Sequence, residues 1–510
     1  MKSSQKQIFI FCVALMTMLH SYGQEATPPN IIFLMTDDQR WDNLGCYGKP
    51  EFNTPNIDKL ASSAVVFDKA YQAVAICMPS RVTMITGRFN SNHKVGFVAP
   101  TDYTLSQNDF NNGYPAILKR AGYRTGFIGK VGFTVTKEAQ RPSMPKEQFY
   151  KRNMETVFDF FAGSQEHDRN GVVIWPENDE GLQEIYRKER INSGRTLRTG
   201  AAMLRFIETQ PKNQPFCLSV SFYAVKHDRD KDMYMPHHEQ FKSREMSVPD
   251  NWVEGGNEEL PVVVKENARG VRLHKQRSST SELQQKLVRR FATQGYSVDD
   301  QVGLLVAKLK EKGILDNTII IYTSDNGRFQ GSHGLFDKCL LYEESVKAPL
   351  IVYDGRVPET ERGFRENALV SSVDIAPTIL SLAGITAPKS MQGRDFSKLL
   401  NKTQEMSQWR NAVFMEDLFI EELFHQRYNE NIDEINQDLI NANRSYRSRG
   451  IRTGRYKYFV YYEHNPIIEE LYDVENDPFE QNNLANNDEY TIVLQQLRKQ
   501  TEKMYLETLH

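Results

Sequence analysis

Asn30-Ile31-Ile32-Phe33-Leu34-Met35-Thr36-Asp37-Asp38 reads as a strand that ends in two carboxylates. Five consecutive apolar residues without alternation fit a strand covered on both faces. A later run, Ile319-Ile320-Ile321-Tyr322, leads in the same way into Ser324-Asp325-Asn326-Gly327. Further short β-branched runs at 65–67, 124–128, 216–223 and 350–353 alternate with helical patterns at 56–63, 113–121, 196–209, 297–312 and 374–383. The last helix starts at Asp374 as N-cap and stops at Gly384. This alternation predicts an α/β fold, a large mixed and mostly parallel sheet sandwiched by helices.

Open α/β sheets bind ligands beyond the carboxyl ends of their strands. Asp37, Asp38, Asp325 and Asn326 stand at two such ends and offer four oxygen donors. A lone Asp-Asp pair is more often a cap or turn, and Asp-Asn-Gly is a common turn. Their joint occurrence just past two buried strands points instead to a hard cation, with Ca²⁺ favoured over Mg²⁺, which keeps its waters. No Cys/His cluster has zinc spacing. Other strand ends deliver cations: Lys130 after 124–128, and Lys226-His227 after 216–223. His333 and Lys338 precede the strand at 350. One such lysine is ordinarily a solvated charge, whereas several on one rim make a sulfate or phosphate pocket.

Between these strands lies Cys77-Met78-Pro79-Ser80-Arg81-Val82-Thr83-Met84-Ile85-Thr86-Gly87-Arg88. Pro79 suits a first helical turn and Gly87 a C-terminal stop. Cys77 is thereby placed at a helix N-terminus that favours an anion, with Arg81 on the same face four residues on. His93, shortly after, is a candidate lining residue.

The chain has 510 residues, 39% hydrophobic and 25% charged, with a formal charge of −3. It is long enough for a large core and carries no global field toward nucleic acid or an anionic membrane. Residues 1–23 read as a secretory signal: Lys2 and Lys6, a short apolar run, then small residues before Gln24. No other run is long enough to span a membrane. The exported chain is therefore expected in the periplasm or outside the cell. Cys46, Cys77, Cys217 and Cys339 remain, and a chain of this length does not need disulfides, so free thiols are expected. Beyond residue 386 the texture changes to strands at 449–452, 456–462 and 470–472, and a polar helix from about 489. The expected division is a catalytic α/β domain over 24–385 and a smaller antiparallel-sheet subdomain over 386–510. Segments 136–194 and 228–280 read as polar excursions, and 415–446 as an acidic helical insertion.

The motif Cys77-Met78-Pro79-Ser80-Arg81 with Thr86-Gly87-Arg88 resembles the signature of the type I sulfatases. The resemblance extends to Thr54-Pro55-Asn56, Gly129-Lys130, Ser324–Gly327, Gly334–Lys338 and the ending 471–484. It implies an alkaline phosphatase-like fold and oxidation of Cys77 to formylglycine (3-oxoalanine) by a sulfatase-maturating enzyme. It also implies Ca²⁺ on Asp37, Asp38, Asp325, Asn326 and the modified Cys77. In such an enzyme one hydroxyl of the hydrated aldehyde attacks sulfur, and the second expels sulfate afterwards. His227 would protonate the leaving alcohol, Arg81, Lys130 and Lys338 would neutralise the sulfate, and His93, Lys226 and His333 would line the substrate site.

Two departures stand out. The family's Gly-Lys-x-His reads Gly129-Lys130-Val131-Gly132, and its Ala-Pro-His reads Ala224-Val225-Lys226-His227. The function implied is hydrolysis of a sulfate ester on a carbohydrate of glycosaminoglycan or mucin type. The alternatives are a phosphatase or phosphotransferase of the same superfamily and an inactive glycan-binding relative.

Overall fold

A computed structural model describes residues 27–141, 153–164, 172–188, 194–226, 233–426 and 431–510. The expected signal, 1–23, lies outside the described residues. Among them no helix is long and apolar enough to cross a membrane.

The main sheet has nine strands: β1 Asn30–Asp37, β2 Val65–Phe67, β3 Arg124–Lys130, β4 Phe160–Ser164, β5 Val173–Trp175, β6 Phe216–Val225, β7 Thr318–Ser324, β8 Leu350–Asp354 and β9 Phe364–Glu366. Their order is β9-β2-β8-β7-β1-β6-β3-β4-β5. From β7 through β1, β6 and β3 to β4 the strands run parallel, and β8 and β5 are antiparallel to their inner neighbours. All eight residues of β1 are buried. Ile31, Phe33 and Met35 pack against the helices Cys77–Thr86, Tyr114–Arg120 and Ile375–Leu382. Ile32 and Leu34 pack against Pro55–Ala61, Gly194–Glu208 and Ser281–Glu311. Two covered faces explain the unbroken apolar run, each such side chain contributing about 1.5–3 kcal/mol.

A second sheet, β10 Ala412–Asp417, β11 Ser448–Thr453, β12 Tyr456–Tyr461 and β13 Ile468–Asp473, is antiparallel throughout. The helix Thr491–Thr508 covers one face through Leu494 and Leu497. From the other, Met415, Phe459 and Tyr461 join a core with Tyr71, Val74, Ile76 and Cys77. That core crosses the expected division at 386 and backs the start of the Cys77 helix.

Three expectations are corrected. The helix expected from 297 begins at Ser281, capped by Thr280, and passes through Gly295. Its early turns bury Leu287, Val288 and Phe291, so packing overrides a mid-helix glycine. The segment read as a helical insertion, 415–446, does carry the helices Glu421–His425 and Ile432–Asn441, but its first residues close β10, with Glu416 and Asp417 buried in the sheet rather than solvated. Segment 136–194 supplies the strands β4 and β5, and 228–280 the helix Arg269–Arg277. Cys46, Cys77, Cys217 and Cys339 are all free thiols.

Candidate active site

β1 and β7 are parallel neighbours with Thr36 opposite Ser324, so the two acidic strand ends meet although 287 residues separate Asp38 from Asp325. Asp38 takes a left-handed backbone, φ 63°, which aspartate tolerates better than bulkier residues. Its N–H donates to Asp325 Oδ1 at 3.0 Å, and Asn326 Nδ2 donates to Asp38 Oδ1 at 2.7 Å. All four side chains are buried, and ligand oxygens of Asp37, Asp38 and Asp325 lie within 4.8 Å of one another.

Cys77 opens the helix Cys77–Thr86, which ends at Gly87 with φ 66°. Ser80 Oγ donates to the Asp325 carbonyl at 2.5 Å, tying this helix to β7. The lysines close in from three directions. Lys130, ending β3, stands 2.6 Å from Asp37 Oδ2. Lys226, just past β6, is 3.7 Å from Asp37 Oδ1 and 3.8 Å from Cys77 Sγ. Lys338 pairs with Asp38 Oδ1 and lies 3.1 Å from Asn326 Oδ1. Arg328, which sequence reasoning missed, sits 2.5 Å from Asp38 Oδ2. Its position directly after Asp-Asn-Gly on a recognised rim was the available signal.

Burial alone would push these carboxylates up, and at Asp37 and Asp38 the cations outweigh it. Asp37 is held well below its ordinary value by Lys130, Lys226, Arg81 and Lys338 against burial. Asp38 falls to about 2, with Lys338 and Lys226 overcoming burial. Asp325 goes the other way, raised by burial and by Asp37 despite Arg81. Burial also opposes ionisation of Cys77, yet Lys130, Lys226 and Lys338 lower its thiol. A thiol lowered beside cations is the reactive kind.

Arg81 departs from expectation. Its Nε and Nη2 grip Asp325 Oδ2 at 2.9 and 2.7 Å, and Nη1 donates to the Lys130 carbonyl and Ser221 Oγ. The guanidinium is fully buried and positions Asp325 instead of facing an anion. His93 is turned away too: Nε2 lies 3.1 Å from Thr83 Oγ1 and Nδ1 accepts from the Val95 N–H. Burial, with Arg88, pushes it to about 3, so the ring is a neutral core group. His333 pairs with Glu344 at 3.3 Å and packs on Tyr342, lining a different cavity of about 880 Å³. His227 lies outside the described residues.

Around Cys77 is a pocket of about 180 Å³ that includes Lys130, Lys226, Arg328 and Lys338. Among the described residues no histidine lines it. The family's second histidine position is Gly132, with φ 85°, where a Cβ would stand 2.7 Å from Arg81 Cδ. The arginine stem fills the space that a side chain at 132 would need. Phe97, Phe419 and Phe424 also line the pocket, and nothing in the sequence pattern marked them.

The rim offers only oxygen donors, three carboxylates and one amide, the set a hard cation takes. Asp37 Oδ1 is buried and accepts no hydrogen bond, so one donor is left for such an ion. A second acidic group, His333, Glu344 and Glu480, is differently arranged: Lys457 sits 2.8 Å from Glu480 and 3.2 Å from Glu343.

Residues 29–385 match the Sulfatase family, and 331–507 match the C-terminal region of N-sulphoglucosamine sulphohydrolase. The chain is 28% identical to the N-acetylglucosamine-6-O-sulfatase of Bacteroides thetaiotaomicron, over 99% of this chain and 92% of that protein. It is 27% identical to the human (Homo sapiens) N-sulphoglucosamine sulphohydrolase, covering 98% and 93%. A protein solved in complex with its substrate D-glucosamine-2-N,6-O-disulfate superposes with a TM-score of 0.73 at 24% identity, over 94% and 98%. The phosphonate monoester hydrolase of Agrobacterium radiobacter shares the fold, with a TM-score of 0.70 at 20% identity over 94% and 96%.

Proposed function

We propose that this chain, which belongs to the sulfatase family and hydrolyses sulfate esters, acts on a sulfated carbohydrate of glycosaminoglycan or mucin type. Cys77 is converted to formylglycine by a maturating enzyme, and Ca²⁺ is held by Asp37, Asp38, Asp325 and Asn326 with the modified side chain. One observation carries the reading: a lowered thiol at a helix start and three lysines line one small pocket, and two of the three buried carboxylates of the rim pair with those lysines. The relatives named for N-acetylglucosamine 6-O-sulfate and N-sulphoglucosamine support a sulfated amino sugar.

Ca²⁺ held by these residues would supply Lewis-acid chemistry for the ester. A formylglycine at position 77 would supply a hydrated aldehyde as the nucleophile. The chain's own residues set the field. Lys130, Lys226, Lys338 and Arg328 surround the place of a sulfate group and compensate the charge that grows on its oxygens. Arg81 holds Asp325 in register, and Lys226, 3.8 Å from Cys77 Sγ, keeps the nucleophile's position next to a fixed cation. His227 is assigned as proton donor to the departing alcohol, by position after β6. The chain is assigned to the periplasm or the exterior on its leader.

The test is co-expression with a maturating enzyme, mass spectrometry of the Cys77 peptide, and release of sulfate from N-acetylglucosamine 6-sulfate and p-nitrophenyl sulfate. p-Nitrophenyl phosphate and a phosphonate monoester are run beside them. Sulfate release with an aldehyde at 77 is expected; dominant turnover of the phosphorus esters overturns the reading.

A further inference from the structure

The pocket around Cys77 has two unlike walls. One is the charged rim. The other comes from distant parts of the chain: Phe97, and Phe419 and Phe424 from the segment after β10. The three rings pack on one another, with centroids 5.6 Å apart for Phe97 and Phe424, 6.3 Å for Phe97 and Phe419, and 6.1 Å for Phe419 and Phe424. Phe424 stands on the helix Glu421–His425, which ion pairs hold down. Glu421 lies 2.6 Å from Arg272 and 3.7 Å from Arg269, and Arg269 in turn is 3.0 Å from Asp337 in the same pocket. The rings are therefore a fixed wall whose placement rests on contacts between the C-terminal subdomain and the helix Arg269–Arg277.

A sulfate ester bound at the rim must direct its alcohol into this volume. At about 180 Å³ the pocket falls below the ~300–1,000 Å³ of sites that hold drug-sized ligands. The side lined by Lys130, Lys226, Arg328 and Lys338 takes the sulfate, and what is left beside the rings suits no more than one sugar. Aromatic faces favour a flat, apolar surface at low entropic cost, and a pyranose presents one in its axial C–H groups. Asp337, held by Arg269, offers carboxylate oxygens for ring hydroxyls at the pocket edge.

We propose that Phe97, Phe419 and Phe424 form a clamp for a single terminal pyranose. The enzyme then removes sulfate from chain ends and free sugars and leaves internal residues of a polymer untouched. The segment after β10 is the element that sets this choice. The inference rests on the sulfatase reading above and adds the mode of attack and the residues that impose it.

The matured, Ca²⁺-supplied enzyme is assayed on three substrates. These are N-acetylglucosamine 6-sulfate, an oligosaccharide carrying that sugar at its non-reducing end, and an oligosaccharide carrying it only internally. Phe97→Ala, Phe424→Ala and Phe424→Leu are compared with the parent, and inorganic sulfate is used as a competitive probe of the rim alone. The two terminal substrates are expected to be cleaved at least about 100-fold better than the internal one. Each alanine variant should lose about 10- to 200-fold in kcat/KM on the sugar, the range for apolar pocket contacts, mainly through KM. Phe424→Leu should keep part of the volume but not the flat face, and fall between. The inhibition constant of sulfate should stay within about twofold, which also shows that the variants are folded. Internal sulfate released at a rate comparable with terminal sulfate overturns the proposal, as do alanine variants with unchanged kcat/KM or an equal rise in the sulfate constant. Failure of the matured parent to release sulfate from any substrate overturns the sulfatase reading itself, a result distinct from indifference to chain position.

Discussion

Asp37, Asp38 and Asp325 at the end of the main sheet, and His333, Glu344 and Glu480 where it meets the C-terminal sheet, are both buried groups of side chains able to ligate a metal. Their charge balance differs. At the sheet end three carboxylates face five cations, Arg81, Lys130, Lys226, Arg328 and Lys338. The surplus is positive and opens into a pocket beside a lowered thiol. At the junction Glu343, Glu344 and Glu480 meet Lys457, Arg452 and one imidazole, and Glu470 accepts from the hydroxyls of Tyr342, Tyr461 and Tyr472. Burial opposes ionisation at each of these carboxyls. It is overcome at Glu343 and Glu344, which fall to about 2 beside Lys457 and His333 respectively. It prevails at Glu480, which is pushed up to about 7. The first cluster is set to receive an anion; the second settles its charge internally and joins two parts of the fold. The sign of the uncompensated charge separates a reaction site from a structural one, whereas residue composition does not.

The sharpest break is Cys77→Ala. On the reading above it should cost on the order of 10⁴–10⁶ in kcat, as removal of a nucleophile does, with thermal unfolding unchanged. The outcome that would end the argument is parent-like sulfate release. Next comes the cation: Asp38→Asn should lose roughly 10²–10³ in kcat, the scale of one electrostatic contact to the reacting group. Treatment of the parent with a chelator should abolish turnover, with Ca²⁺ restoring it better than Mg²⁺. Equal activity before and after chelation would show that the rim works without a metal.

The comparison itself is tested by paired lysine changes. Lys457→Met strands Glu480 in the interior and leaves Glu343 with Arg452, and should cost about 3–5 kcal/mol of stability, read by denaturant unfolding, with kcat per folded molecule kept. Lys130→Met leaves Asp37 with Lys226 and Arg81, so activity should fall while stability changes little. Matching effects from the two would erase the distinction between the clusters.

The smallest effect is one of pH. Glu480 has a folded-state value of about 7, above the ordinary 4.5, owing to burial and to Glu343 despite Lys457. The folded state therefore binds the extra proton, and its contribution, up to ~3 kcal/mol, is present below pH 4.5 and lost as pH rises through 7. Glu480→Gln should flatten unfolding free energy between pH 5 and 8; a slope equal to the parent's would assign the dependence to other groups.

Much of this was legible from the chain. β1 and β7 announce themselves because each has an apolar run that breaks only near its end, and the residues that follow are then at the rim. Lys130 and Lys226 were placed by the same logic, and Pro79 and Gly87 bounded the Cys77 helix. Arg81 was read as facing an anion, but its partner, Asp325, lies 244 residues away and nothing local specifies it. His93 and His333 stood near the right motifs and point elsewhere, since a side chain's direction depends on neighbours such as Thr83 and Glu344. Phe97, Phe419 and Phe424 are ordinary core residues in sequence and become a pocket wall only where segments more than 300 residues apart meet.

By itself, then, the chain determined the layered sheet and the identity of most rim residues, because periodicity and connectivity are local properties. Tertiary structure alone decided which arginine faces a carboxylate, which histidines are core, and what closes the pocket. Those outcomes depend on packing between segments hundreds of residues apart, where burial and the sum of nearby charges override each residue's own tendency.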